Sequence, residues 1–167
     1  MSTILHTEAG ALATPQILPD AKGKFLIITA DWNAEITGVL REGAHATLLD
    51  AGIAKENIVS ISVPGTVELI NTAAHGVNRE DTLAVIILGC VIRGETPHFD
   101  YVCNIASQGT ASLNALGKAP VIFGVLTVDT PEQAADRAGG RLGNKGAEAA
   151  AAAVTMANVN SSFFGKD

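Results

Sequence analysis

Apolar runs of strand length alternate with stretches of helical period along this chain, and the alternation repeats four times after a separate leader. That pattern marks βαβ units, in which connecting helices cover both faces of a parallel sheet. The leader, residues 1–23, contains Pro15 and Pro19 and shows no periodicity. It is read as disordered or as an arm that packs on something else. The first strand is predicted over 25–29, and the polar loop Asp31-Trp32-Asn33 leads into a helix over 34–51 stopped by Gly52. Asn33 suits a helix N-cap, because its side-chain oxygen can accept from a free backbone N–H, and Gly52 suits a left-handed exit.

The second strand is predicted over 58–63 and is closed by Pro64-Gly65; a helix then begins around Val67, Leu69 and Ile70 and runs out near Gly76. Residues 83–88 are apolar without alternation, which is the mark of a central strand buried on both faces. The polar loop 93–97 follows, and then a helix over 98–116 that ends at Gly117. The fourth strand is predicted over 121–126. Thr130-Pro131-Glu132-Gln133 reads as a capping box, with an N-cap Thr, Pro at the first helical position and Gln three residues after the cap. Its helix breaks at Gly139-Gly140, and an alanine-rich helix is predicted over 145–157. The sum is one α/β domain over 24–160, with a tail over 161–167: a four-stranded parallel sheet in an open three-layer arrangement, with right-handed crossovers.

Composition narrows the class. With 167 residues, 47% apolar and 17% charged, the chain can bury a sizeable core. The run 83–88 falls far short of the roughly 20 apolar residues that cross a bilayer, and residues 1–23 lack the basic start and apolar stretch of a secretory signal. A soluble, cytoplasmic protein is expected, without a membrane partner. The formal charge of −6, with its few cations scattered, argues against nucleic acid. Cys90 and Cys103 make no metal-ligand spacing with each other or with the four histidines, so no metal site is expected.

Ligands of such sheets bind beyond the carboxyl ends of the strands. The loops there carry three unusual groups. Trp32, the single tryptophan, stands beside polar Asp31 and Asn33; its indole could stack on a heterocycle or fold over the edge of the core. Glu68 opens the second helix, where the helix dipole favours a carboxylate without any need of function. His98 closes the loop after the central strand. It can move protons at neutral pH, and protonated histidine is disfavoured at a helix N-terminus, so stability alone would not select it there. His6, His45 and His75 are read as solvated. The stretch 139–146, four glycines with Arg137, Arg141 and Lys145 around them, either holds a phosphate or is a flexible joint between helices; it is not a Walker A loop.

Five groups of residues, in this order, carry a resemblance: Trp32-Asn33 with Ile36-Thr37; Val63-Pro64-Gly65 with Glu68-Leu69; Leu88 through Thr96 with His98-Phe99; Pro120 through Thr127; and Glu132-Gln133-Ala134 with Arg137-Ala138-Gly139 and Asn144-Lys145-Gly146. Over about 24–157 the chain resembles the 6,7-dimethyl-8-ribityllumazine synthase family. The resemblance implies a flavodoxin-like subunit, a transferase of riboflavin biosynthesis acting without metal or organic cofactor. It would condense 5-amino-6-(D-ribitylamino)uracil with 3,4-dihydroxy-2-butanone 4-phosphate. Carried over by position, Trp32 would stack on the pyrimidine, and Thr66, Val67, Glu68, Cys90, Val91 and Ile92 would line its pocket. Glu95, Thr96 and Arg137 would hold the phosphate, and His98 would transfer protons. Asn33 and Lys145 would support the site. Phe123, Arg137 and Lys145 would enter from a neighbouring subunit, because the family builds its site at the interfaces of a pentamer. The resemblance leaves pentamer, decamer and a capsid of sixty subunits open as the final assembly, and it offers riboflavin synthase as a candidate partner.

Some positions depart from the commoner family pattern: Trp32 stands where many members have Phe, Val67 where an aromatic is usual, and Ile70 where Pro is frequent. Two other readings compete with catalysis on this fold. One is a non-catalytic module that binds a flavin or lumazine, and the other is a shell-forming protein. Trp32 serves either, whereas Arg137 and His98 have an obvious purpose only where a phosphate is held and protons move.

Overall fold

The structure, a computed structural model, describes residues 15–164. Expectations for residues 1–14 and 165–167, His6 among them, lie outside the described residues. Four strands, β1 (Lys24–Ala30), β2 (Ile58–Val63), β3 (Thr82–Ile92) and β4 (Val121–Val128), form an all-parallel sheet in the order β2-β1-β3-β4. Each is followed by a helix: α1 (Ala34–Asp50), α2 (Glu68–Val77), α3 (His98–Asn114) and α4 (Pro131–Arg137). A long α5 (Lys145–Phe163) closes the described chain. This is the expected three-layer α/β architecture.

Side-chain alternation divides the core in two. Phe25 and Ile27 of β1, with Ala84, Ile86 and Leu88 of β3, pack under Leu40, Ala44 and Leu48 of α1 and Ala150, Ala153 and Val154 of α5. Leu26 and Ile28, with Val85 and Ile87, face Leu69 and Ala73 of α2 and Leu113 of α3. Each fully buried Val, Leu, Ile or Phe among them contributes about 1.5–3 kcal/mol by leaving water. Small residues bring α5 close to α1: a Cβ on Gly146 would collide with the Leu40 carbonyl oxygen. Asn144 starts α5, its Oδ1 accepting from the N–H of Gly146 and of Ala147 while its Nδ2 donates to Val39 O.

Several expectations are corrected. Asn33 stands at the N-cap of α1 but its side chain makes no cap hydrogen bond, because its backbone is left-handed (φ 59°). The Thr130 hydroxyl accepts from Gln133 N–H as a capping box requires, but Gln133 Oε1 accepts from the N–H of Asp129 rather than of Thr130. Between α4 and α5 the chain forms a small antiparallel hairpin, β5 (Ala138–Gly140) with β6 (Gly143–Asn144), instead of a loose joint. α5 continues through the expected start of the tail. The described part of the leader is bound to the domain, Ile17 N–H donating to Ala51 O and Asn158 bonding to both Gln16 and Leu18.

Candidate active site

The chain crosses from β2 over β1 to lay down β3 on the opposite side, so the direction of strand addition reverses between β1 and β3. Ligands of open α/β sheets bind at the carboxyl ends of strands at such a reversal. A cleft of about 560 Å³ opens there, within the range of small-molecule sites.

The first wall comes from the loop after β1. Asp31 and Trp32 extend the ladder with β2, their N–H groups donating to Val63 O and Pro64 O. Trp32 is 73% exposed, so its indole does not fold over the core but stands free at the mouth of the cleft. Asn33, beside it, donates from Nδ2 to the carbonyl oxygen of Cys90 at 2.9 Å.

The second wall is the turn into α2, where Gly65, Thr66, Val67 and Glu68 line the cleft. Thr66 is buried against β3, and Gly89 makes room for it: a Cβ there would sit 2.9 Å from the Thr66 hydroxyl. Glu68 is exposed and its carboxylate makes no ion pair or hydrogen bond among the described residues.

The floor is the end of β3, Cys90, Val91 and Ile92. The Cys90 side chain is 1% exposed and burial pushes its thiol up to about 11. It therefore supplies shape and a backbone carbonyl, not a thiolate nucleophile. Gly94, Thr96 and His98 complete the rim, and His98, the first residue of α3, is exposed at the opening.

The structure thus brings together Trp32, Asn33, Thr66, Val67, Glu68, Cys90, Val91, Ile92, Thr96 and His98. It does not bring Glu95, Phe123, Arg137 or Lys145 to this cleft. Glu95 is exposed on the adjoining loop. Phe123 packs against the α2–α3 half of the core. Arg137 donates to Leu142 O at 2.9 Å and to Glu148 at 3.3 Å, and Lys145 meets the same Glu148 carboxylate at 3.0 Å. Sequence reasoning passed over Glu148, and also Phe99 and Val102, which line the cleft from the first turns of α3. Val102 was legible in principle, since it lies four residues after His98 and so on the same helix face.

Among the described residues no group of side chains is arranged to hold a metal, and no helix is long and apolar enough to cross a membrane.

Comparison with known proteins gives the family. The family model for 6,7-dimethyl-8-ribityllumazine synthase matches residues 22–161. The chain is 53% identical over 133 residues to the enzyme of that name from Bacteroides fragilis, covering 80% of this chain and 93% of the relative. It is 50% identical over 144 residues to that from Parabacteroides distasonis, covering 86% and 90%. With the counterpart from Cytophaga hutchinsonii it shares 54% over 132 residues, covering 79% and 83%. A flavodoxin-like sheet, a cleft at its strand reversal and relatives matched over most of their length agree: the chain belongs to the 6,7-dimethyl-8-ribityllumazine synthase family.

Proposed function

We propose that this cleft condenses 5-amino-6-(D-ribitylamino)uracil with 3,4-dihydroxy-2-butanone 4-phosphate to give 6,7-dimethyl-8-ribityllumazine, phosphate and water. The observation that carries the reading is the meeting of an open indole, Trp32, a carboxylate without a partner among the described residues, Glu68, and an exposed histidine, His98, around one cleft of a family member. Trp32 stacks on the pyrimidine, and Thr66, Val67 and Glu68 face its polar groups and side chain. Cys90, Val91 and Ile92 form the floor. The backbone N–H groups of Glu95 and Thr96, on the loop before α3, and the Thr96 hydroxyl hold the phosphate together with Arg137 of a neighbouring copy.

The amine of the pyrimidine attacks the ketone and loses water to form an imine. Elimination then expels phosphate, and ring closure releases a second water. Both substrates are reactive already, so most of the acceleration comes from holding them in register. His98 carries protons to and from the nitrogen and oxygen atoms as these bonds change. The reaction needs no metal or cofactor.

Arg137, Lys145 and Phe123 serve the cleft of a neighbouring copy in a pentamer. Two observations support this: they stand apart from their own cleft, and Tyr101 (68% exposed) and Ile105 (46%) leave an apolar stretch of α3 open beside it. Riboflavin synthase is the proposed consumer of the product, and two free thiols suit the reducing cytoplasm.

The test is an assay of both substrates for lumazine absorbance, with sedimentation on the same sample to separate pentamer from sixty-subunit shell. Turnover is expected, and His98→Ala should lower it by about 10–10⁴-fold without abolishing it. A purified oligomer that binds product yet forms none would favour the binding-module reading.

A further inference from the structure

The segment between β3 and α3 carries much of the proposed site, yet little of its own structure holds it in place. Arg93, Gly94, Glu95, Thr96, Pro97 and His98 are all exposed. No burial fixes their course. Arg93 supplies the restraint instead. Its backbone N–H donates to Val128 O at 2.9 Å, adding a rung to the β3–β4 ladder. Its Nε donates to Asp129 at 2.9 Å and its Nη1 to Asp100 at 3.3 Å, while the guanidinium lies 4.0 Å from the centre of the Phe99 ring. One side chain therefore joins the start of the segment to the two residues just beyond its end, and both to the end of β4. Phe99 itself lines the cleft.

We propose that Arg93 is a positioning residue for the four-carbon substrate: it closes residues 94–98 into a fixed loop and so places Thr96 and His98 against the phosphate-bearing end of the site. The inference rests on the proposed assignment of that loop to the butanone phosphate. An arginine is required because its planar fork offers separate donors to two carboxylates and a flat face to a ring, which the compact ammonium of lysine does not. A merely structural role fits poorly, since exposed ion pairs contribute little to stability. Arg93 also neutralises Asp100 and Asp129, two carboxylates that would otherwise face the loop uncompensated.

Steady-state kinetics on the assembled protein, with each substrate varied in turn, separates these roles. Arg93→Gln should raise the KM for the butanone phosphate by up to about 10²-fold, the scale of an ångström-sized misplacement. The KM for the pyrimidine and the thermal midpoint should stay close to their original values. Arg93→Lys should resemble Arg93→Gln. Arg93→Gln combined with Asp100→Asn and Asp129→Asn should not recover, because charge is then balanced but the brace is still missing. Equal loss for both substrates, full rescue by lysine, or recovery in the triple variant overturns the inference. Should Arg93→Gln fail to assemble, Asp100→Ala and Asp129→Ala each remove one acceptor of the brace and should show the same selective loss; unchanged kinetics in both overturns it. Thr96→Val serves as the control. If it leaves the butanone phosphate KM unchanged, the loop is not the phosphate site and the inference falls with that assignment; if it raises the KM while the Arg93 variants do not, only the brace is refuted.

Discussion

Asn33 and Cys90 are joined by a hydrogen bond that ties the loop after β1 to the end of β3. The pairing of these two strands ends at Thr29 and Leu88, so the bond from Asn33 Nδ2 supplies a further link where the ladder has run out. Asn33 is also the only non-glycine residue with positive φ among those described, in a region where asparagine is better tolerated than most side chains. The left-handed turn that denies its side chain a capping role is what aims it at the sheet. Trp32 precedes it directly, so the exit of the indole from the sheet depends on this link.

Two substitutions separate conformation from bonding. Asn33→Gly keeps the left-handed backbone available and deletes the donor, whereas Asn33→Asp keeps the shape and sets a carboxylate against the Cys90 carbonyl oxygen. Loss of one such bond is worth about 0.5–1.5 kcal/mol. The pyrimidine KM should therefore rise several-fold in the glycine variant and further in the aspartate variant, with the butanone phosphate KM little changed. Wild-type kinetics in both would show that the link does not set the loop.

Local pattern revealed the strands, because each is a short run rich in Val, Ile, Leu or Phe between turn signals, and the strand-end rule then singled out the loops that carry Trp32, Glu68 and His98. It missed what depends on distant partners. β3 was expected over 83–88 but extends to Ile92, since pairing with β4 continues through Gly89 and Cys90 where the apolar run ends. The hairpin between α4 and α5 has no strand-forming composition; Gly139 and Gly143, at φ 87° and 81°, allow it. Arg93 meets Asp129 across 36 residues of chain, and Asn33 meets Cys90 across 57. No local signal specifies such contacts. The resemblance gave Cys90 and Thr96 their roles; it included Phe99 without a role and left out Glu148, and the parts of both emerge only from packing.

Arg137 and Lys145 converge on Glu148, which holds both cations on one side of α5. If they serve a neighbour's cleft, Arg137→Ala should raise the butanone phosphate KM by roughly 10–150-fold, the equivalent of a charge-assisted hydrogen bond of about 1.5–3 kcal/mol. Mixing the impaired His98→Ala and Arg137→Ala proteins, assayed at butanone phosphate well below the raised KM, should lift activity above the mean of the two once subunits exchange, because some clefts then receive both intact residues. Proven exchange without rescue would argue for a site built within one chain.

Cys90 gives the protein an alkaline weakness. Burial raises its thiol from an ordinary 9.0 to about 11, so between these values the unfolded chain releases a proton that the folded chain keeps. Stability from this group is fully present below about pH 9 and is lost as the pH rises through about 11. Denaturant unfolding from about pH 8 to about pH 10.5 should fall more steeply for the native protein than for Cys90→Ala. Parallel slopes would mean that the thiol ionises as freely when folded as when unfolded.

Trp32, the only tryptophan, reports on the mouth of the cleft without any substitution. At 73% exposure its emission should begin near that of indole in water. If the pyrimidine stacks on it, adding 6,7-dimethyl-8-ribityllumazine or riboflavin should quench that emission by contact and by energy transfer, saturating at one ligand per subunit. Trp32→Phe should keep most of the affinity, because a stacking face remains, while Trp32→Ala should cost about 1–3 kcal/mol, the scale of aromatic stacking on a nucleobase. Its exposure also predicts that Trp32→Ala leaves thermal stability nearly unchanged, since little apolar area returns to water when a side chain already in water is removed. Tight binding of product with unaltered tryptophan emission would place the heterocycle elsewhere in the cleft. A large loss of stability in Trp32→Ala would instead show that the indole packs onto protein surface in the assembled enzyme.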